Sequence, residues 1–255
     1  MANLLWDHAV HYVNNPDEAI TAFTGHQLLA VRGGVHPDWG THNALSYFGL
    51  TYIEFLSIYD ADKLAEVQDS FLLSRDALKL LPAHQVLNRV ALRSADIDAT
   101  HATLARQGLS LSPILDGKRH DAQGNLIEWR IFTIDGSYQG VAYPFIIQWG
   151  NPDEERLKLL RQRGLDRPHP AGAVTMAAAL FDVEQPQAVA AHWQQLFGLA
   201  RDPQDPARLL IGEEGQRFIF RHGSLNRLSA IQLRTDHPEL AGSSLRIGDG
   251  EYQFV

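Results

Sequence analysis

Residues 36–56 read HPDWGTHNALSYFGLTYIEFL. The opening His36-Pro37-Asp38 is a turn signal, and Thr41 to Phe48 and Thr51 to Ile58 are two β-prone runs separated only by Gly49-Leu50, which predicts an antiparallel hairpin. Upstream, Leu4 to Val13 is apolar and strand-like and leads into Asn14-Asn15-Pro16-Asp17-Glu18. Asn15 is placed to cap a helix, Pro16 fits its first turn, and the acidic side chains there favour the helix dipole. That helix, Asp17 to Phe23, stops at Gly25, and His26 to Val31 supplies a further strand. The element order is βαβββ.

The order returns. From Val86 the run VLNRVALRSADIDATHATLARQGL reads as a strand followed by an Asp-led helix that closes at Gly108, and Ile127 to Ile134 and Tyr143 to Trp149 are later strands of the same unit. Aligning the helix starts Asp17 and Asp98 sets His8 over Arg89, 81 residues on, and aligning the last strands sets Glu54 over Gln148, 94 residues on. The excess falls in the polar stretch Asp116 to Asn125, which reads as a loop. A third return begins at Thr175, with a Pro186-bearing helix whose Val189, Trp193, Leu196 and Phe197 share one face. Three short strands follow, at Arg208 to Ile211, Arg217 to Arg221 and Leu228 to Arg234, and a hairpin spans Ser244 to Val255. Helical connectors are expected at Asp62 to Leu81 and Asp153 to Arg163, so the chain divides into units at 1–82, 83–163 and 164–255.

The 255 residues carry 22 Lys and Arg against 30 Asp and Glu, a net charge of −8, with 45% hydrophobic residues and no cysteine. An acidic surface of this kind argues against nucleic acid and anionic membranes as partners. Disulfides, thiolate metal sites and a cysteine nucleophile are excluded. Neither a signal-peptide pattern nor an 18-residue apolar run is present, so a cytoplasmic protein is expected. GxSxG, HExxH and paired CxxC motifs are absent from the sequence.

Tandem βαβββ units, with Asp7-His8 on the first strand and Tyr52-Ile53-Glu54 on the fourth, resemble the vicinal oxygen chelate superfamily of glyoxalases, bleomycin resistance proteins and dihydroxybiphenyl-type dioxygenases. More narrowly, Trp39-Gly40-Thr41-His42-Asn43 followed by the Tyr52-Ile53-Glu54 strand is similar to the glyoxalase-like domain family. The resemblance is specific over residues 4–60, looser over 84–150, and rests on element order alone beyond that. It implies an α+β fold in which paired modules curl mostly antiparallel sheets around one pocket, with helices outside. It also implies a small-molecule lyase or isomerase, the alternative on the same fold being a binder that sequesters a drug or metabolite. Modules of this kind work in pairs, so an odd third unit suggests a homodimer.

In metal-using relatives each module supplies one ligand from its first strand and one from its fourth. Carried over, the positions are His8, Glu54, Arg89 and Gln148. His8 and Glu54 suit zinc, nickel, manganese or ferrous iron, whereas the Arg89 guanidinium repels a cation. Arg89 instead suggests a metal-free pocket in which it pairs with Glu54 and holds an anionic substrate, with Glu54 and His8 moving a proton. Arg130 is a second candidate for an anion. Trp39, His42 and Asn43 come from the matched segment. A two-residue turn at Gly49-Leu50 pairs Leu45 with Glu54 and turns Asn43 toward it, while a three-residue loop turns His42 there instead. His8 is expected to share its face with Trp6 and Val10, and His11 to point away.

Overall fold

The computed structural model describes residues 3–67, 71–120, 124–212 and 215–255. Its first unit is β1 (Leu5–Tyr12), α1 (Pro16–Gly25), β2 (Val31–His36), β3 (Thr41–Phe48) and β4 (Thr51–Ile58). As the sequence predicts, the Asn15 side chain caps α1, accepting from the Asp17 amide at 3.0 Å, and Pro16 opens the helix. β2 begins at Val31, later than expected, because the chain turns through Gln27 with φ 58° before extending. The connector expected over Asp62 to Leu81 is two helices, α2 (Ala61–Val67) and α3 (Leu72–Leu80), with residues 68–70 outside the described set.

The second unit is β5 (Leu87–Arg93), α4 (Ile97–Arg106), β6 (Leu115–His120), β7 (Leu126–Phe132), the small hairpin β8 (Ser137–Tyr138) and β9 (Val141–Ala142), and β10 (Phe145–Trp149), followed by α5 (Asp153–Gln162). The Asp116 to Asn125 stretch is therefore only partly loop. Its first half is the edge strand β6, with Gly117 and Arg119 buried and Lys118 and His120 exposed, and 121–123 lie outside the described residues.

The two units join edge to edge through the antiparallel pair β1–β5, giving one eight-stranded sheet of order β2-β3-β4-β1-β5-β10-β7-β6. It curls until its two edges meet, and Arg119 Nη1 on β6 donates to the Gly33 carbonyl on β2 at 3.3 Å. Val10, Leu56, Ile131 and Phe145 fill the concave side together with Phe71 and Leu73 from the start of α3. Tyr12 Oη fixes α3 there by donating to the Leu73 carbonyl at 3.0 Å.

The rest of the chain is β11 (Val174–Val183), α6 (Pro186–Phe197), β12 (Ala200–Asp202), β13 (Asp205–Ile211), β14 (Gln216–His222), β15 (Arg227–Thr235), β16 (Ser244–Ile247) and β17 (Gly250–Phe254). They form a seven-stranded sheet of order β12-β13-β14-β11-β15-β17-β16. β11, α6, β12, β13 and β14 repeat the βαβββ order, whereas β15 pairs antiparallel with β11 as β5 does with β1, then continues into β17 and β16 without a helix. A shortened fourth unit thus completes the third within the chain, and the edge that an odd unit would offer to a second copy is met by β15. The convex face of the first sheet packs on this second half, with Trp6 edge-on to Phe218 at 5.5 Å and Trp193 fully buried. No helix among the described residues is long and apolar enough to cross a membrane.

His11 lies in this packed layer. It is fully buried, its Nδ1 lies 2.6 Å from Tyr252 Oη, and its Nε2 has no hydrogen-bond partner among the described residues. Burial, with Arg227 adding repulsion, lowers its pKa to about 4. A histidine depressed from 6.5 in this way stabilises the fold fully above pH 6.5 and loses that contribution as pH falls toward 4. Denaturant unfolding of the wild type is expected to weaken over that window, and His11→Asn to flatten the slope by about one proton. An unchanged slope in the variant excludes His11 as the titrating group.

Candidate active site

The cleft opens on the concave side of the first sheet, and a bulge in β1 creates it. Between Trp6 and His8 the pairing with β5 slips by one residue, with Asp7 as the extra residue. Trp6 is thereby turned to the convex side, correcting the expectation that it shares the His8 face, while His8 and Val10 remain concave. His11 does point away.

Asp7 and His8 both become buried by this slip, side by side. Asp7 Oδ1 lies 2.7 Å from His8 Nδ1, and its other oxygen accepts from Trp149 Nε1 at 2.9 Å, Arg93 Nη1 at 3.1 Å and Arg156 Nη1 at 3.4 Å. Burial opposes charge on Asp7, but Arg156, His8 and Arg93 together hold it well below the usual carboxylate range. A carboxylate can only accept, so His8 Nδ1 carries a proton and Nε2 is presented to the cleft. There Nε2 stands 3.5 Å from Glu54 Oε2, the ring stacked on Tyr52 at 4.4 Å and edge-on to Phe145 at 5.3 Å. Burial disfavours the imidazolium, yet the hydrogen bonds to Asp7 and Glu54 outweigh it and the pKa of His8 is raised. Burial likewise opposes the Glu54 carboxylate, and His8 with Asn43 nevertheless lowers its pKa.

The register of β3 on β4 pairs Phe48 with Thr51 and Leu45 with Glu54, which is the two-residue turn. Asn43 is on the Glu54 face and donates from Nδ2 to Glu54 Oε1 at 2.6 Å, while its own Oδ1 accepts from the Gly34 amide at 3.0 Å. The second bond fixes which way the amide points. Gly33 makes room for it, since a Cβ there would stand 2.0 Å from Asn43 Oδ1. His42 faces outward, near Tyr59.

Trp39 is in the cleft, stacked on Phe71 at 4.3 Å and edge-on to Trp129. With Phe145, Ile131, Ile147 and Trp149 these rings make most of the wall of the cleft. His36 and Arg119 also face it. The sequence predicts a turn at His36 and a loop at Arg119, whereas both lie on strands, β2 and β6. His36 Nδ1 lies 2.9 Å from Thr41 Oγ1, and burial lowers its pKa to about 4, with Glu54 opposing and Arg119 assisting.

Two carried-over positions, Arg89 and Gln148, and the second anion candidate, Arg130, are elsewhere. Arg89 is buried away from the cleft lining, its Nε donating to Asp76 Oδ2 at 2.5 Å and its Nη1 to the Tyr143 carbonyl at 2.7 Å. Gln148 turns outward, Oε1 accepting from the Ile97 amide at the start of α4, and Arg130 pairs with Asp98 on the same outer side. In the registers, His8 pairs with Ala91 across the two units, His8 with Tyr52 within the first, and Ala91 with Phe145 within the second. The second-unit counterparts of His8 and Glu54 are therefore Ala91 and Ile147. A four-ligand metal centre does not fit this cleft: half of its positions are hydrocarbon, Asp7 already occupies one nitrogen of His8, and among the described residues no cluster of three His, Asp or Glu is placed to hold a metal.

Asp7, Arg93, Arg156, Gly33, His36 and Arg119 are the site residues that sequence reasoning missed. An aspartate inside the apolar run Leu4 to Tyr12 was the available signal, because an unpaired carboxylate rarely lies in a buried strand.

A glyoxalase-like domain profile matches residues 6–197. Among solved structures, a hypothetical protein from Staphylococcus aureus superposes with a TM-score of 0.85 at 19% identity, covering 99% of each chain. Methylmalonyl-CoA epimerase from Streptomyces coelicolor, in complex with 2-nitronate-propionyl-CoA, gives a TM-score of 0.42 at 14% identity over 59% of this chain and 100% of that one. The Mycobacterium tuberculosis methylmalonyl-CoA epimerase gives 0.40 at 19% identity over 60% and 91%. The full-length match fixes the fold and is silent on chemistry. A search of curated proteins finds no match.

Proposed function

The chain belongs to the glyoxalase-like domain family, and from that premise we propose that it is a small-molecule enzyme of isomerase or lyase type, moving a proton at a carbon next to an oxygen-bearing carbon. The observation that carries the reading is the pairing of His8 and Glu54 at the cleft, where each favours the charged form of the other, Glu54 as carboxylate and His8 as imidazolium. Glu54, ionised at neutral pH, takes the proton: the C–H bond breaks, an O–H bond forms on the carboxyl, and the electron pair moves into the neighbouring carbonyl as an enolate. The His8 imidazolium donates its Nε2 proton as a hydrogen bond to that enolate oxygen. Asp7 holds the ring in the required tautomer. Return of the proton to the same or the adjacent carbon completes an isomerisation, and no electrons are gained or lost.

A second reading, a binder that sequesters its ligand without reaction, is favoured by the hydrocarbon at Ala91 and Ile147. Deuterium wash-in separates the two. The protein in D2O with a panel of 2-oxo acids, their methyl esters and α-hydroxy ketones is expected to erase the ¹H signal next to the carbonyl of at least one class faster than buffer does. Ligands that bind in the cleft without exchanging place the protein with the binders.

A further inference from the structure

We propose that Arg119 is the anion-holding residue of the cleft and that its ligand is a carboxylate carrying an apolar body about the size of an aromatic ring. This deepens the reading of the His8–Glu54 cleft as the substrate site and rests on it.

Four arginines of the described residues are buried: Arg89, Arg93, Arg119 and Arg156. Three meet carboxylates, Arg89 that of Asp76, Arg93 those of Asp7 and Asp153, and Arg156 that of Asp7. Arg119, only 7% exposed, meets none among the described residues, and its one hydrogen bond to a described residue is from Nη1 to the neutral Gly33 carbonyl at 3.3 Å. A buried guanidinium without a counter-ion is costly, and a latch between β6 and β2 needs only a neutral donor. Charge counting around the cleft gives the same result. Among the described residues, Asp7, Glu54 and Asp153 are matched by His8, Arg93 and Arg156, which leaves Arg119 as the surplus cation of that set. Arg119 lines the cleft together with Glu54 and His8, so an anion held by its guanidinium brings the carbon beside it toward the acid–base pair. The remaining lining sets the shape of the rest of the ligand: Trp39, Phe71, Trp129 and Phe145 offer ring faces and edges and no further charge.

The three cleft tryptophans report on occupancy. Their fluorescence is followed as the wild type is titrated with 3-phenyllactate and, separately, with its methyl ester, which keeps the ring and the hydroxyl and lacks the charge. The acid is expected to quench saturably and to bind at least about tenfold more tightly than the ester. Arg119→Met is expected to remove that preference while leaving ester binding unchanged, and Arg119→Lys to restore part of it. Equal binding of acid and ester, or no quenching by either, overturns the proposal in the wild type alone, before any variant is made; full acid preference in Arg119→Met overturns it as well. Glu54→Gln should keep the acid preference while losing proton exchange; acid-selective binding by a wild type that exchanges no proton counts against the acid–base reading only, and exchange on esters without acid preference counts against Arg119 only.

Discussion

Glu54→Gln is expected to lower enzyme-dependent proton exchange by about 10²–10⁴-fold, the usual contribution of a positioned general base, with little loss of fold stability. Glutamine keeps the volume and still accepts the Asn43 hydrogen bond through its oxygen, so the strand pair β3–β4 retains its register. Its amide nitrogen then meets His8 Nε2, which held Glu54 Oε2 at 3.5 Å. Two donors cannot face each other, and His8 is driven to its neutral form. The variant therefore carries a second signature: the His8 titration, followed by the NMR shift of its ring proton, moves down in pH because one of the two carboxylates that raise it is gone. His8→Gln should cost about as much activity as Glu54→Gln, and the double variant little more, since the two act as a unit. Full exchange activity in Glu54→Gln assigns the base elsewhere.

What the sequence made legible, and what it hid, follows from the range of the interactions involved. Turn chemistry at Gly49-Leu50 is local, and so the hairpin carrying Asn43 and Glu54 was readable together with the alternatives for its register. Periodicity and caps are local too, which is why α1 and the Trp193 face of α6 lie where the pattern put them. Bulges are decided by pairing partners far away in sequence. The extra residue at Asp7, which turns Trp6 outward and joins Asp7 to His8, has no local signature. Counting repeats from helix starts misplaced the second-unit positions for a related reason. Arg89 lies two residues from Ala91 on the same strand, about 7 Å along it, and Gln148 lies one residue from Ile147, enough to put it on the opposite face. Arg119 was hidden by its neighbours, since Gly117, Lys118 and His120 read as loop, and it is pairing with β7 that makes β6 a strand and closure of the curled sheet that brings Arg119 to β2. The shortened fourth unit escaped because it carries no helix to announce it.

The largest stability effect is expected at Asp7. Asp7→Ala should destabilise the fold by about 3–5 kcal/mol in denaturant titration, the range for breaking a buried ion pair from one side. The loss comes less from the missing attraction than from what remains. Arg93 keeps Asp153, with Nε and Nη2 at 2.8 and 2.9 Å, but Arg156 has no other carboxylate within ion-pair distance among the described residues and is left over the Trp149 ring at 4.2 Å and beside the Leu50 carbonyl. Removing that cation as well should recover part of the loss, so the double variant Asp7→Ala with Arg156→Met is expected to be more stable than Asp7→Ala alone. Simple additivity of the two losses would show that the charges are not coupled. The pH dependence distinguishes this centre from His11. Asp7 is held ionised far below its ordinary value, so its contribution is present above about pH 4 and disappears only as pH falls further, toward its folded pKa. Asp7→Ala should therefore lower the stability curve throughout pH 4 to 6.5, and it should also add slope at the upper end of that window, because the hydrogen bond that raises His8 is gone and its imidazole titrates lower. A slope that stays as in the wild type would mean that Glu54 alone keeps His8 charged, and that the contribution of Asp7 runs through Arg93 and Arg156.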